Sequence, residues 1–183
     1  MNRRWTKEEI NSWYEKLDWP VGCNYVPSVT FHCVELWQDD TRDEVLESVK
    51  KELELLKETG MNTVRMFIPF RAWYFEREKF FGKFEEFLDL LETYGVTMMP
   101  VIFNDCAGFS RPEPVMGTEM SRGWQKYVKG RHGGCEDSPF TGEKLKIGWI
   151  LHDEPDWVPV LEEYLRAFVT RFKDDRRIIA WDL

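Results

Sequence analysis

Apolar runs rich in β-branched and aromatic residues alternate with amphipathic helical segments, and this alternation narrows the possible folds more than any other feature. The runs are "NTVRMFIPF" (62–70), "VTMMPVIF" (96–103) and "RIIAWDL" (177–183), with a shorter "VGCNYVPS" predicting a strand over 21–26. They read as continuous apolar stretches, as strands do when both faces of a sheet are covered. The segments between them carry helical spacing. Val45, Val49, Leu53 and Leu56 share a face within 41–60, where Thr41 and Glu44 have capping-box spacing and Gly60 supplies a stop. Phe80, Phe84, Phe87, Leu88 and Leu91 do the same within 78–94, ahead of Gly95. A third set comprises Val160, Leu161, Tyr164, Leu165, Phe168, Val169 and Phe172. Strands separated by helices favour parallel pairing through crossover connections, so the expected class is α/β.

A further helix is expected at the amino end. In "TKEEINSWYEKLDWP", Thr6 and Glu9 form a second capping-box pair, and Ile10, Trp13, Tyr14 and Leu17 make an apolar face that ends at Pro20. Residues 1–20 are therefore expected to form a helical cap on a single domain spanning 1–183.

Composition excludes several function classes. The net charge of −8, with no basic stripe, argues against a nucleic-acid partner. No stretch has the length of a membrane span, and the first residues lack the apolar core of a secretion signal. Four cysteines without tight spacing fit a reduced, cytoplasmic chain. His132 and Cys135 have the types of metal ligands but no second pair, so no metal or other cofactor is expected. The patterns of nucleotide-binding loops and of serine hydrolases are absent from the sequence.

Strand parity marks candidate site residues. In "NTVRMFIPF", Val64, Met66 and Ile68 form the helix-packing face, so Thr63, Arg65, Phe67 and Pro69 face the other way. A guanidinium placed there should meet a carboxylate or a ligand, and a purely structural ion pair fits the sequence equally well. Asn104 and Asp105 end the third run, where they could hold hydroxyl groups. By alternation Asp182 shares a face with Ala180 and Ile178. About fifty residues rich in Gly, Pro and aromatics then separate Phe103 from the last helix. They leave the carboxyl end of a strand, where parallel α/β folds place ligands, and read either as a binding surface or as a wrap over one sheet edge. Trp37, Trp73 and Trp124 lie in segments read as loops and could offer flat faces to sugar rings.

Taken together, "GCNYVPS", "ELWQDDT", "GMNTVRMFI", "PVIFNDC", "VKGRHGG" and "YLRAFVTRFKDDRRIIAWDL" resemble bacterial glycoside hydrolases of the cellulase-like family 5 over nearly the whole chain. The resemblance implies a (β/α)8 barrel and retaining hydrolysis of a β-glycosidic bond. On that basis the chain is expected to be half of such a barrel, with about four parallel strands and a long loop after the third. The family's acid/base Glu follows its "WDL" strand within an Asn-Glu-Pro sequence, and its nucleophile lies on strand seven. Neither position falls within the 183 residues, so the resemblance implies no hydrolysis by them alone. It further implies that Arg65 supports the nucleophile, and that Asn24, Tyr25, Trp37, Arg65, Asn104, Asp105, Trp124, His132 and Asp182 bind carbohydrate. Two other readings remain: a half-barrel that binds carbohydrate without cleaving it, and one that associates through its open edges to complete a site.

Overall fold

The computed structural model describes residues 3–30, 35–103, 155 and 158–183. Its elements are α1 (Lys7–Tyr14), β1 (Gly22–Asn24), a 3-10 turn (Glu35–Trp37), α2 (Arg42–Glu58), β2 (Thr63–Phe67), α3 (Phe70–Thr93), β3 (Thr97–Val101) and α4 (Val158–Phe172). The three strands form one parallel sheet in the order β1-β2-β3. The α/β class therefore follows the alternation in the sequence. Gly60 and Gly95 take left-handed backbone (φ 79° and 71°) where α2 and α3 turn into the next strand, a conformation that glycine adopts without a Cβ penalty.

The core lies between one face of the sheet and the helices. Val64, Met66 and Met98 are buried on the sheet side. Val45, Val49 and Leu53 of α2 and Phe80, Phe84, Phe87 and Leu91 of α3 meet them from the helical side. Tyr164, Phe168 and Phe172 of α4 complete an aromatic cluster in which Phe84 lies 5.0 Å from Phe172 and 5.3 Å from Phe168. Tilted and edge-on rings at such separations gain quadrupole attraction beyond the area they bury.

Several local expectations change in the fold. The Thr6–Glu9 capping box forms, with Glu9 N–H donating to Thr6 Oγ1 and Thr6 N–H to Glu9 Oε2. The apolar face of α1 nevertheless buries nothing, and Ile10 and Tyr14 are exposed. The Thr41–Glu44 box does not form: the Thr41 hydroxyl donates instead to the Glu35 carbonyl at 2.5 Å. Helix α3 begins at Phe70, not near residue 78, and bends at Glu76, whose backbone (φ −137°, ψ 52°) is non-helical.

The expected fourth strand is also corrected. Residues 177–182 meet β3 through two parallel bridges, Met98 with Ile178 and Val101 with Asp182, in place of a continuous ladder. Between the bridges β3 advances three residues (98 to 101) and its partner four (178 to 182), so one residue is bulged. The bulge switches the faces. Ile178 lies with buried Met98, whereas Asp182 lies with Val101, on the side of Arg65. Simple alternation, which had put Asp182 on the face of Ile178, fails at this point.

A polar tie fastens the end of β1 to α2. The Glu52 carboxylate accepts from the Tyr25 hydroxyl (2.6 Å), the Ser28 N–H (3.0 Å) and hydroxyl (2.5 Å), and the Ser48 hydroxyl (2.8 Å). Burial pushes this carboxyl up, but the bonds from Ser28, Tyr25 and Ser48 together outweigh it and hold Glu52 below its ordinary range. A lowered folded-state value adds stability that is complete above the unfolded value, about 4.3, and that disappears as pH falls through the folded one. Acid titration of stability is therefore expected to show a steeper loss below about pH 4.3 in the parent than in Glu52→Gln. Parallel curves for the two proteins would refute that role.

Candidate functional site

The side of the sheet away from the core is partly exposed at Thr63, Arg65, Phe67 and Met99 and buried at Val101, and its polar groups gather around Arg65. Arg65 lies mid-strand in β2 with Asn24 and Met99 as its lateral neighbours. Its guanidinium donates from Nε to Asp182 Oδ2 at 2.7 Å and from Nη1 to Asn24 Oδ1 at 2.9 Å. Nη2 lies 2.6 Å from the same Asp182 oxygen. The Phe67 ring, two residues along the strand, sits beneath the cation at 5.0 Å from its centroid. Side-chain exposures of 29% for Arg65 and 33% for Asp182 keep the pair within reach of solvent or a ligand.

Three sequence-predicted residues, Asn24, Arg65 and Asp182, thus converge on one face. Each arrives differently. Asn24 ends β1, and Arg65 follows the parity of β2. Asp182 depends on the bulge. At this exposure an ion pair contributes little to stability, about 0–1 kcal/mol. The arrangement instead pre-orients a carboxylate, a carboxamide and a guanidinium around a patch edged by an aromatic ring. Such a set can donate to and accept from hydroxyl groups while an apolar ring face covers C–H surface.

Tyr25 does not join this face. It follows Asn24 directly, so its side chain turns to the helical side and is buried, while its N–H donates to the Arg65 carbonyl at 2.8 Å. Burial and then the bond to Glu52 push its phenol upward, leaving a neutral hydroxyl that donates to the carboxylate. Its role is to anchor the strand.

Trp37 and Trp73, expected as sugar platforms, are core residues at 1% exposure each. Trp37 packs against Phe80 (5.0 Å), Phe84 (5.9 Å) and Phe87 (5.8 Å). The 3-10 turn that carries it is held down by Arg42, which donates to the Leu36 carbonyl at 3.1 Å, and by Lys83, which donates to the Trp37 carbonyl at 2.5 Å. A short segment without clear periodicity resembled a loop in sequence, but cations from α2 and α3 draw it into the core. Trp73 lies 5.0 Å from Tyr164, with the Arg77 guanidinium 4.3 Å over its ring.

Asn104, Asp105, Trp124 and His132 lie outside the described residues. Among the described residues there is no cluster of three or more His, Cys, Asp or Glu able to hold a metal ion. No described helix is long and apolar enough to cross a membrane. Sequence reading missed Phe67 as the ring beneath the cation, although its position two residues after Arg65 on the same face was signal enough.

No family model matches the chain, and no curated protein and no solved structure matches it.

Proposed function

We propose that the face built by Asn24, Arg65, Asp182 and Phe67 binds β-linked carbohydrate, as one side of the substrate cleft of a glycoside hydrolase of the kind the sequence resembles. The finer architecture, half of a (β/α)8 barrel, belongs to the same proposal. One observation carries it: a partly exposed guanidinium in the middle of β2, braced over the Phe67 ring by an amide at the carboxyl end of β1 and a carboxylate beside the carboxyl end of β3. Parallel α/β folds place their ligands at that end. Sugars ask for this mixture, because each ring offers hydroxyl groups at its edge and C–H surface on its face.

The role assigned to these residues is holding substrate. Retaining hydrolysis uses two carboxyl groups about 5–5.5 Å apart, and among the described residues the Arg65 cluster contains one, Asp182. Bond cleavage is therefore not assigned to this cluster.

Calorimetric titration of the 183-residue protein with β-linked gluco- and xylo-oligosaccharides tests the reading. Saturable binding is expected, and Arg65→Met should weaken it about ten- to a hundredfold, the loss of a charge-assisted bond worth about 1.5–3 kcal/mol. The melting temperature should change little, since the variant keeps the apolar stem. Absence of binding to every oligosaccharide, or equal binding by the variant, would overturn the proposal. Marked destabilisation with unchanged binding would make the Arg65–Asp182 pair a structural tie.

A further inference from the structure

The geometry points to Pro100 as the positioning residue that aims Asp182 at Arg65. The inference rests on the sheet's hydrogen bonds and holds whatever ligand the face takes. Along β3, Met98 donates its N–H to the Arg177 carbonyl at 2.8 Å, and its own carbonyl accepts from Ile179 N–H at 2.9 Å. Backbone groups alternate sides along a strand, so the next N–H directed at the same neighbour belongs to residue 100. That residue is proline. It has no N–H to donate, and its ring carbon occupies the place of the missing hydrogen.

In an uninterrupted ladder residue 100 would donate to the Ile179 carbonyl, and Trp181 N–H would then donate to the carbonyl of residue 100. The observed chain does otherwise. The Pro100 carbonyl accepts from Asp182 N–H at 3.1 Å, and the Asp182 carbonyl accepts from Ile102 N–H at 2.9 Å. The neighbouring segment has slipped forward by one residue past the proline. A one-residue slip exchanges the faces of every side chain beyond it. Asp182 consequently takes the position opposite Val101, on the Arg65 side, that Trp181 would occupy in regular register.

Pro100 leaves the other side of β3 intact. Its lateral partner in β2 is Met66, and bonding with β2 resumes beyond it, where Ile68 N–H donates to the Val101 carbonyl at 2.9 Å. The missing donor thus faces only the segment whose register it changes. Proline in a strand interior is ordinarily confined to such bulges and edges. Here the bulge re-aims a carboxylate.

The test is a structure of the Pro100→Ala protein, by crystallography or by NMR distances between Arg65 and residues 181 and 182. Restoring the N–H is expected to restore regular register, put Trp181 opposite Val101 and abolish the Arg65–Asp182 contact. A rescue variant adds a readout that general destabilisation would not produce. Exchanging the two side chains (Trp181→Asp with Asp182→Trp) should return a carboxylate to Arg65 in the Pro100→Ala background but not in the Pro100 background. Asp182 remaining on Arg65 in Pro100→Ala, or the exchange acting alike in both backgrounds, would overturn the inference. Should Pro100→Ala fail to fold, deletion of Ala180 in the Pro100 chain decides the matter. If the proline dictates the slip, the deletion removes Asp182 from Arg65. If Asp182 keeps its contact in the shortened segment, the proline has no such role.

Discussion

Replacing Phe84 with alanine is expected to cost about 3–5 kcal/mol of folding free energy, the range for deleting a buried aromatic ring. Phe84 is fully buried where three elements meet. Its ring stacks on Trp37 of the 3-10 turn at 5.9 Å and meets Phe168 and Phe172 of α4 at 5.3 and 5.0 Å. The cavity left by the ring would be lined by other rings, whose rigid planes cannot collapse into it as flexible aliphatic chains might. Total stability of domains is only about 5–15 kcal/mol, so the variant would lose a large part of it. For a chain of this size each kcal/mol moves the melting temperature by roughly 2–4 °C, giving a drop of about 6–20 °C. Denaturant titration with unchanged slope should give the same loss. Leu55→Ala, on the exposed side of α2, serves as the control and should change stability by less than about 0.5 kcal/mol. A loss at Phe84 no larger than the control's would mean that the aromatic cluster does not hold the core together.

The second large effect is expected at Gly22. It pairs with Thr63 across the β1–β2 ladder, and a Cβ added there would fall 1.9 Å from the Thr63 carbonyl oxygen and 2.7 Å from its carbon. The obstacle is backbone of the adjoining strand, which cannot swing aside as a side chain would. Gly22→Ala must therefore push β1 from β2, at a cost of at least about 1–3 kcal/mol, typical of overpacking. The displacement should reach the site, since β1 presents Asn24 to Arg65 and the following N–H, of Tyr25, donates to the Arg65 carbonyl. Faster exchange of the Tyr25 amide hydrogen and loss of the Asn24–Arg65 contact are the expected signatures. Gly82→Ala provides a contrast of opposite sign. Its added Cβ meets nothing within 4 Å, in the interior of α3. Alanine is a better helix former by about 0.5–1 kcal/mol, so that variant should be stabilised. Equal behaviour of the two glycine variants would contradict the close approach of β1 to β2.

The alternation of β1, β2 and β3 with α2 and α3, the α/β class and the buried faces of α2, α3 and β2 were legible in the sequence, because each follows from a period that neighbouring residues set among themselves. Arg65 could be placed on the partly exposed face by the same logic, since β2 is paired regularly on both sides. Thr6 and Glu9 cap α1 for a similar reason, as both partners lie within one turn. The tertiary structure decided wherever the partner is distant in sequence. Thr41 had the spacing of a cap, yet its hydroxyl goes to the Glu35 carbonyl once the 3-10 turn folds alongside. Trp37 looked like a loop aromatic until Arg42 and Lys83 held its turn against the Phe80–Phe87 rings. Asp182 shows the division most sharply. Its own strand pattern points it to the face of Ile178, and that pattern knows nothing of which donors the neighbouring strand lacks. Pro100, eighty-two positions earlier, withholds one N–H, the register slips by one residue, and the carboxylate turns to Arg65. Local periodicity is written in each segment, but the facing of a side chain past a bulge is set by a hydrogen bond that only the assembled sheet can offer or refuse.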